Sequence, residues 1–424
     1  MLVTVSRIAK TSAVRVYSML IGLLIMALSA RWLGPEGLGQ IATITNWVAA
    51  FCTFGHLSLG QVGVREAALD SSGPWLQTAL PVLLIFALAT SALAWVLVSI
   101  LHWLSNGDVF RHVPTGLLLI GFAALPFMIW EQYGSHLLMA LQRLDIYNRY
   151  MLIGRTSAIV LLPLLLVGLQ WGVVGALLVT LIAQAVVAGG GIRFLVQGAG
   201  GLTLPRMAAL KKYVRSGVAL HINAVGTFML SGTTIIILSH QRGLHETGYF
   251  QLGMYVLSAM MIIPQSAAMV MYGHAAALGA DAAWMQQRRV LVVVTLLMVL
   301  VAVALGVLAP QLLPLIAGES FRESVGVFRW QLLSIIGMTM GNIMAPQWIA
   351  RGLFWQISAI AIANGLITLG ASLILIPEYG MYGAAWATAI AYLVATAVNL
   401  GMVVYCEKRI LGVAHGELRG SGER

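Results

Sequence analysis

Apolar residues in this chain come in long unbroken runs, such as "VLVVVTLLMVLVAVALGVLA" from Val290 to Ala309. They do not alternate with polar residues. An alternating pattern over about ten residues would mark a membrane β-strand. Runs of ~20 apolar residues instead reach across a ~30 Å hydrocarbon core as helices. Twelve such runs are readable, at 11–33, 38–62, 76–101, 114–141, 148–168, 172–195, 213–239, 246–273, 287–308, 324–350, 354–376 and 380–405. The pattern predicts an all-α integral membrane protein of about twelve transmembrane helices. The first run follows Arg7 and Lys10 and is longer than the apolar region of a signal peptide. With no small-residue cleavage site after it, a retained membrane helix is expected.

Polar positions punctuate the runs in short turns. The longest internal polar stretch is "QGAGGLTLPRMAALKK", from Gln197 to Lys212, in the middle of the chain. Its glycines and Pro205 break helices. It predicts a linker (197–212) between an N-terminal six-helix bundle (1–196) and a C-terminal one (213–406), with a tail at 407–424. The halves echo one another. "WGVVGALLVTLIAQAV" from Trp171 and "YGMYGAAWATAIAYLV" from Tyr379 agree at seven of sixteen positions, 208 residues apart. The first run carries Thr11, Ser18, Gly22 and Ser29; the seventh carries Ser216, Asn223, Thr227 and Thr234, at the same spacings. Each set covers about 40° of one helix face. A weaker echo is the Gly-x4-Gly entering the second and eighth runs, Gly34/Gly39 and Gly243/Gly248. A parallel repeat implies pseudo-two-fold symmetry along the membrane normal, and two matched bundles can rock about a shared site.

Composition agrees with the membrane reading. The chain is 60% hydrophobic and 9% charged, with mean hydropathy +0.91; soluble domains carry about 25% charged residues. Of the 24 Lys and Arg, all but Arg31, Arg111, Arg242, Arg322 and Arg329 fall on the side of the membrane that holds the termini. The positive-inside rule then makes both termini cytoplasmic. The net charge of +10 suits anionic headgroups and calls for no nucleic acid. Cys52 and Cys406 are too far apart in sequence and depth to suggest a disulfide framework.

Four segments carry a resemblance. "ARWLGPEGLGQIAT" (Ala30–Thr43) resembles the junction of the first two helices in Wzx-type flippases of the multidrug/oligosaccharidyl-lipid/polysaccharide (MOP) exporter superfamily. "ALQRLDIYNRY" (Ala140–Tyr150) is similar to that family's turn after the fourth helix. "WGVVGALLVT" and "YGMYGAAWAT" are similar to its sixth and twelfth helices. The resemblance implies a MATE/MOP-like fold. It implies transport of an undecaprenyl-diphosphate-linked oligosaccharide from the cytoplasmic to the periplasmic leaflet of the bacterial inner membrane, without bond chemistry. It departs in one respect: many relatives carry an acidic residue in the seventh helix, whereas "HINAVGTFMLSGTTIIILS" (His221–Ser239) has none. That puts a cation-coupling role for this helix in doubt.

Such a substrate needs positive charge and water inside the membrane. Arg15, a turn or so inside the first run, is the leading candidate for the diphosphate, since guanidinium forks match phosphate oxygens. Arg155 shares a face with Asn148, Arg65 shares one with Thr43 and Gln61, and Arg215 opens the seventh run behind Lys211 and Lys212. Each could equally snorkel to headgroups or serve only as a topology anchor. Glu131 is the carboxylate placed well inside a run; it fits either a titrating group or a structural partner for Arg15 or Arg155. His221 points away from the Ser216–Asn223 stripe and reads as a histidine bonded between helices. Ser18, Asn223, Thr227, Gln265 and Asn342 supply hydroxyls and amides for a polar cavity, or for interhelical hydrogen bonds.

Partners on this reading are the lipid-linked oligosaccharide, membrane lipids, and polysaccharide polymerase or chain-length machinery; no cofactor or metal enters. Two rivals remain. A multidrug/cation antiporter of the same superfamily would want a carboxylate-lined cavity. A membrane glycan polymerase or ligase would want a substantial outer loop, and the largest candidate, His102–Pro114, is about a dozen residues.

Overall fold

The computed structural model describes residues 2–69, 75–200, 205 and 207–420, with the side chains of 2–12, Arg15, Ala219, Leu220 and 410–420 outside that description. The described residues form helices and no strand. In order they are α1 (Leu2–His56), α2 (Leu59–Leu69), α3 (Trp75–Leu104), α4 (Thr115–Ala123), α5 (Leu125–Ala140), α6 (Leu144–Pro163), α7 (Gly172–Ala199) and α8 (Met207–Ser231). Then follow α9 (Thr233–Arg242), α10 (Leu244–Met260), α11 (Ile262–Leu278), α12 (Ala280–Ala317), α13 (Ser324–Gln331), α14 (Ile335–Ala350) and α15 (Phe354–Gly420). A π-helical turn, Leu164–Gly168, extends α6.

Among the described residues, nine segments are long and apolar enough to cross a membrane. Twelve rods emerge once their breaks are followed. α1 kinks at Gly34 (φ 66°) and α15 at Gly380 (φ 56°), so each is two rods. The tenth predicted span is broken by a 3₁₀ turn, Leu332–Ser334, between α13 and α14. Both kinks need a left-handed residue, which glycine adopts without steric cost. At Gly34 the restart is set by Pro35, whose missing N–H is harmless in a first turn. At Gly380 it is set from another helix: the Glu246 carboxylate of α10 accepts the Met381 N–H at 2.7 Å. Pro126 and Pro264 likewise sit in the first turns of α5 and α11, where spans four and eight restart.

The repeated sixteen residues do the same structural work twice. Gly172 (φ 55°) and Gly380 (φ 56°) turn the chain into the last helix of each half. Three residues on, Gly175 lies against the backbone of Leu165 and Gly383 against the carbonyl of Leu375, each the end of the preceding rod. Thr180 and Thr388 both donate to the carbonyl four residues back, at 3.0 and 2.9 Å.

Helices of the first half pack on one another, α2 and α7 on α5 and α6 on α7; in the second half α8, α9 and α14 pack on α15, and α11 and α12 on α14. One core gathers Leu80, Leu83, Phe122 and Tyr133. Another gathers Leu252, Met298, Phe328 and Ala384, together with Met26 and Leu38 of α1. Outward, α3 exposes Leu88, Leu93 and Val96, and α12 exposes Val293, Leu296, Leu300 and Val307. Such stripes match hydrocarbon rather than water. Between the halves, α1 lies along α10 and α2 against α8.

Gly383→Val drives a side chain into the Leu375 carbonyl, and overpacking of this kind costs about 1–3 kcal/mol. Gly401→Val points into open space. Thermal unfolding in detergent is expected to fall by several degrees for the first and to stay unchanged for the second.

Candidate functional site

The seam is faced by four rods: 2–33 and 35–69 of the first half, and α8–α9 and α10–α11 of the second. Each carries a polar stripe, and the stripes change character along their length. Ser29, Thr43, Thr234 and Gln251, toward the end opposite the basic face, are all buried. Toward the basic face, Gln61, Asn223, Thr227, Ser258 and Gln265 are exposed. A side chain added at Gly22 would meet nothing within 4 Å. The polar seam is therefore shut at the far end and open toward the basic one.

Two glycines shut it. A Cβ on Gly39 would overlap the Leu244 carbonyl, and one on Gly248 would overlap the Pro35 carbonyl. Backbones of the two halves meet here at a distance only glycine allows. In both halves the first glycine of the Gly-x4-Gly pair makes a left-handed turn (Gly34 φ 66°, Gly243 φ 85°) and the second makes the contact. What read as a faint echo is the seal of the seam.

Nearer the basic face, α2 and α8 are stitched together. Ser58 Oγ lies 3.1 Å from His221 Nδ1, the His56 and His221 rings meet edge-on at 5.0 Å, and Lys212 pairs with Glu66 at 2.5 Å. The stitch uses a break between α1 and α2 at two left-handed non-glycine residues, Leu57 (φ 44°) and Ser58 (φ 52°). Tyr133 donates to the freed His56 carbonyl at 2.9 Å, and the Ser58 N–H donates to His56 Nδ1 at 2.9 Å. His221 is thus bonded between helices, as its position off the stripe suggested.

Arg155 lies eleven residues into α6, on the order of 10 Å inside the apolar run that begins at 148. Its side chain is exposed and within electrostatic range of Tyr255 on α10 of the other half. The neighbouring Thr156 bonds the Tyr17 hydroxyl of α1 at 2.8 Å. Glu131 accepts a hydrogen bond from Tyr147 at 2.8 Å. Glu131 and Arg155 line one pocket of about 80 Å³, with Thr180 and Gln184, room for a few waters. They are not within ion-pair distance. Among the described residues no carboxylate pairs with Arg65, Arg155 or Arg215. Arginines toward the far face are engaged differently: Arg31 donates to the Ile316 and Leu315 carbonyls, and Arg242 to those of Ile376 and Pro377.

The remaining expected residues divide. The Arg15 side chain lies outside the described residues. Ser18 is half-buried, and its Oγ has no hydrogen-bond partner among the described residues. Thr227 is exposed and donates to the Asn223 carbonyl at 2.9 Å. Asn342 is turned into its own helix, donating to the Met338 carbonyl at 2.9 Å. Arg65 is exposed at the basic end of α2. Arg215 instead lines a groove with α3, off the polar stripe. Tyr255, Tyr17 and Gln184 escaped the sequence reading, because only packing shows which tyrosine or amide faces a seam.

No protein-family model matches the chain, and no curated protein sequence matches it. Solved structures do. An inward-facing multidrug resistance MATE family transporter of the MOP superfamily superposes with a TM-score of 0.71 at 14% identity, over 94% of this chain and 96% of that one. An outward-facing one superposes at 0.61 with 16% identity, over 96% and 95%. The lipid II flippase MurJ, in an inward closed conformation, superposes at 0.74 with 14% identity, over 92% and 87%. The chain is a multi-pass, all-α membrane protein with the fold of MOP superfamily transporters.

Gly248→Val is expected to force the far end open. In a Thr43→Cys background the buried cysteine is silent to a membrane-impermeant maleimide. Adding Gly248→Val raises its labelling by about fivefold or more, the population shift that 1–3 kcal/mol of overpacking produces.

Proposed function

We propose that this protein flips an undecaprenyl-diphosphate-linked oligosaccharide across the bacterial inner membrane, for assembly of a surface polysaccharide such as O-antigen, capsule or exopolysaccharide. The observation that carries the reading is Arg155: an exposed guanidinium inside the apolar run of α6, without a carboxylate partner among the described residues, beside a polar seam open to the basic face. A guanidinium inside an apolar run usually faces a cavity or a partner. It suits a phosphate that arrives with its own hydrated glycan.

On this reading the basic face is cytoplasmic and holds both termini. The diphosphate enters from that side, Arg155 and Arg15 receive it with Arg65 at the mouth, and Asn223, Thr227 and Gln265 offer groups to the sugars. The hydrocarbon tail stays in the bilayer. The halves then rock, breaking the Gly39–Gly248 contact and closing the basic end, so that the glycan leaves on the far side. No bond is made or broken, and no cofactor is used. Polymerase and chain-length machinery would receive the product. The shared fold also admits a multidrug/cation antiporter. The charge left unpaired within the membrane run is cationic, however, while the Glu131 carboxylate is held by Tyr147, which favours an anionic cargo.

Complementation of a strain lacking its lipid-linked-glycan translocase tests this. Wild type should restore surface glycan. Arg155→Ala and Arg15→Ala should each lower export roughly tenfold to a hundredfold, the weight of a charge-assisted phosphate contact, with Arg155→Lys intermediate. Normal insertion of Arg155→Ala with wild-type export would remove the basis of the proposal.

A further inference from the structure

A second cationic feature lies outside the seam. Between α3 and α8, the side chains of Ile85, Phe86, Ala89, Leu210 and Val214 line a groove of about 490 Å³, with Lys211 and Arg215 at its edge. Its volume falls in the ~300–1,000 Å³ range of small-ligand sites. Lys211 and Arg215 stand one helical turn apart on one face of α8, and both are exposed. Neither has a carboxylate partner among the described residues, whereas Lys212 next to them is taken by Glu66 at 2.5 Å. Arg215 is turned about 80° from Asn223 and 120° from Thr227 around the helix, so these cations address the groove and not the polar stripe.

The chemistry of the lining selects the ligand. Apart from the two cations, the groove offers hydrocarbon and no hydroxyl or amide side chain. A glycan would find no hydrogen-bond partner there. An occupant with a hydrocarbon chain and one compact anionic group satisfies both the lining and the edge. Unpaired basic residues beside hydrocarbon are costly and call for an anion.

We infer that the α3–α8 groove is a binding site for an anionic phospholipid of the leaflet at the basic face, its acyl chain along α3 and its phosphate on Lys211 and Arg215. Because α3 belongs to the first half and α8 to the second, a lipid seated there bridges the halves beside the seam. This site goes beyond the flippase proposal and does not depend on it.

The test uses the full chain reconstituted in phosphatidylcholine vesicles containing a minority of phosphatidylglycerol, then released gently for native mass spectrometry. Wild type should retain phosphatidylglycerol over phosphatidylcholine. Lys211→Gln/Arg215→Gln should lose roughly tenfold of that preference, and Ala89→Trp, which keeps both charges but fills the groove, should lose bound lipid. Arg289→Gln, an exposed cation elsewhere on the basic face, should behave as wild type. If the double variant does not fold, a photo-crosslinking residue in place of Ala89 should capture phosphatidylglycerol over phosphatidylcholine. Unchanged phosphatidylglycerol retention in the double variant overturns the inference. So does equal capture of the two lipids, or capture of added undecaprenyl diphosphate in preference to phosphatidylglycerol.

Discussion

Gly39 and Gly248 let two backbones touch at the far end of the seam, where any side chain would overlap the Leu244 or Pro35 carbonyl. Lipid supplies no hydrophobic drive between helices, so close van der Waals contact is what can hold two bundles shut. The stripes of Ser29, Thr43, Thr234 and Gln251 are buried because the backbones above them are in contact. The lower stripes stay exposed although the halves touch again nearer the basic face, where Gly217 of α8 lies against the Leu57 carbonyl. A glycine contact has shape but no charge and no directional bond. It can be parted and remade without desolvating an ion.

Charge is distributed by the same geometry. Arg31 and Arg242 are spent on carbonyls exposed where helices end or kink, at the C-terminal end of α12 and at the break in α15. Those arginines satisfy backbone acceptors that hydrocarbon cannot. Glu246 does the converse at Met381, closing an N-terminus with an anion. Arg155, Lys211 and Arg215 are different: their local backbone is ordinary helix, and nothing among the described residues neutralises them. A guanidinium within an apolar run beside a polar seam and a cationic pair beside an apolar groove pose two separate binding problems. One suits an anion carrying a glycan, the other an anion carrying a chain.

The stitch at Ser58 and His221 shows how much a membrane interface can hide from one-dimensional reading. Neither residue has a sequence neighbour that announces the contact. The left-handed Leu57 and Ser58 are not glycines, so no turn signal marks the break between α1 and α2. The Gly-x4-Gly echo, in contrast, was visible as a spacing. Its meaning was not, since small residues in membrane helices most often serve packing within one bundle.

Length and hydropathy alone determined that this chain is a bundle of membrane helices, because a run of ~20 apolar residues has few other stable states in lipid. The repeat at Trp171 and Tyr379 determined where the last helix of each half begins, because a left-handed glycine and a glycine against the preceding rod are local requirements that any copy must keep. The tertiary structure alone decided which cations face the seam, which face the groove and which cap carbonyls. Arg155, Arg215 and Arg31 are the same residue type on similar helices. Their environments are set by the rods packed against them, and a rotation of 100° per residue moves a side chain from one neighbour to another without changing anything the local sequence records.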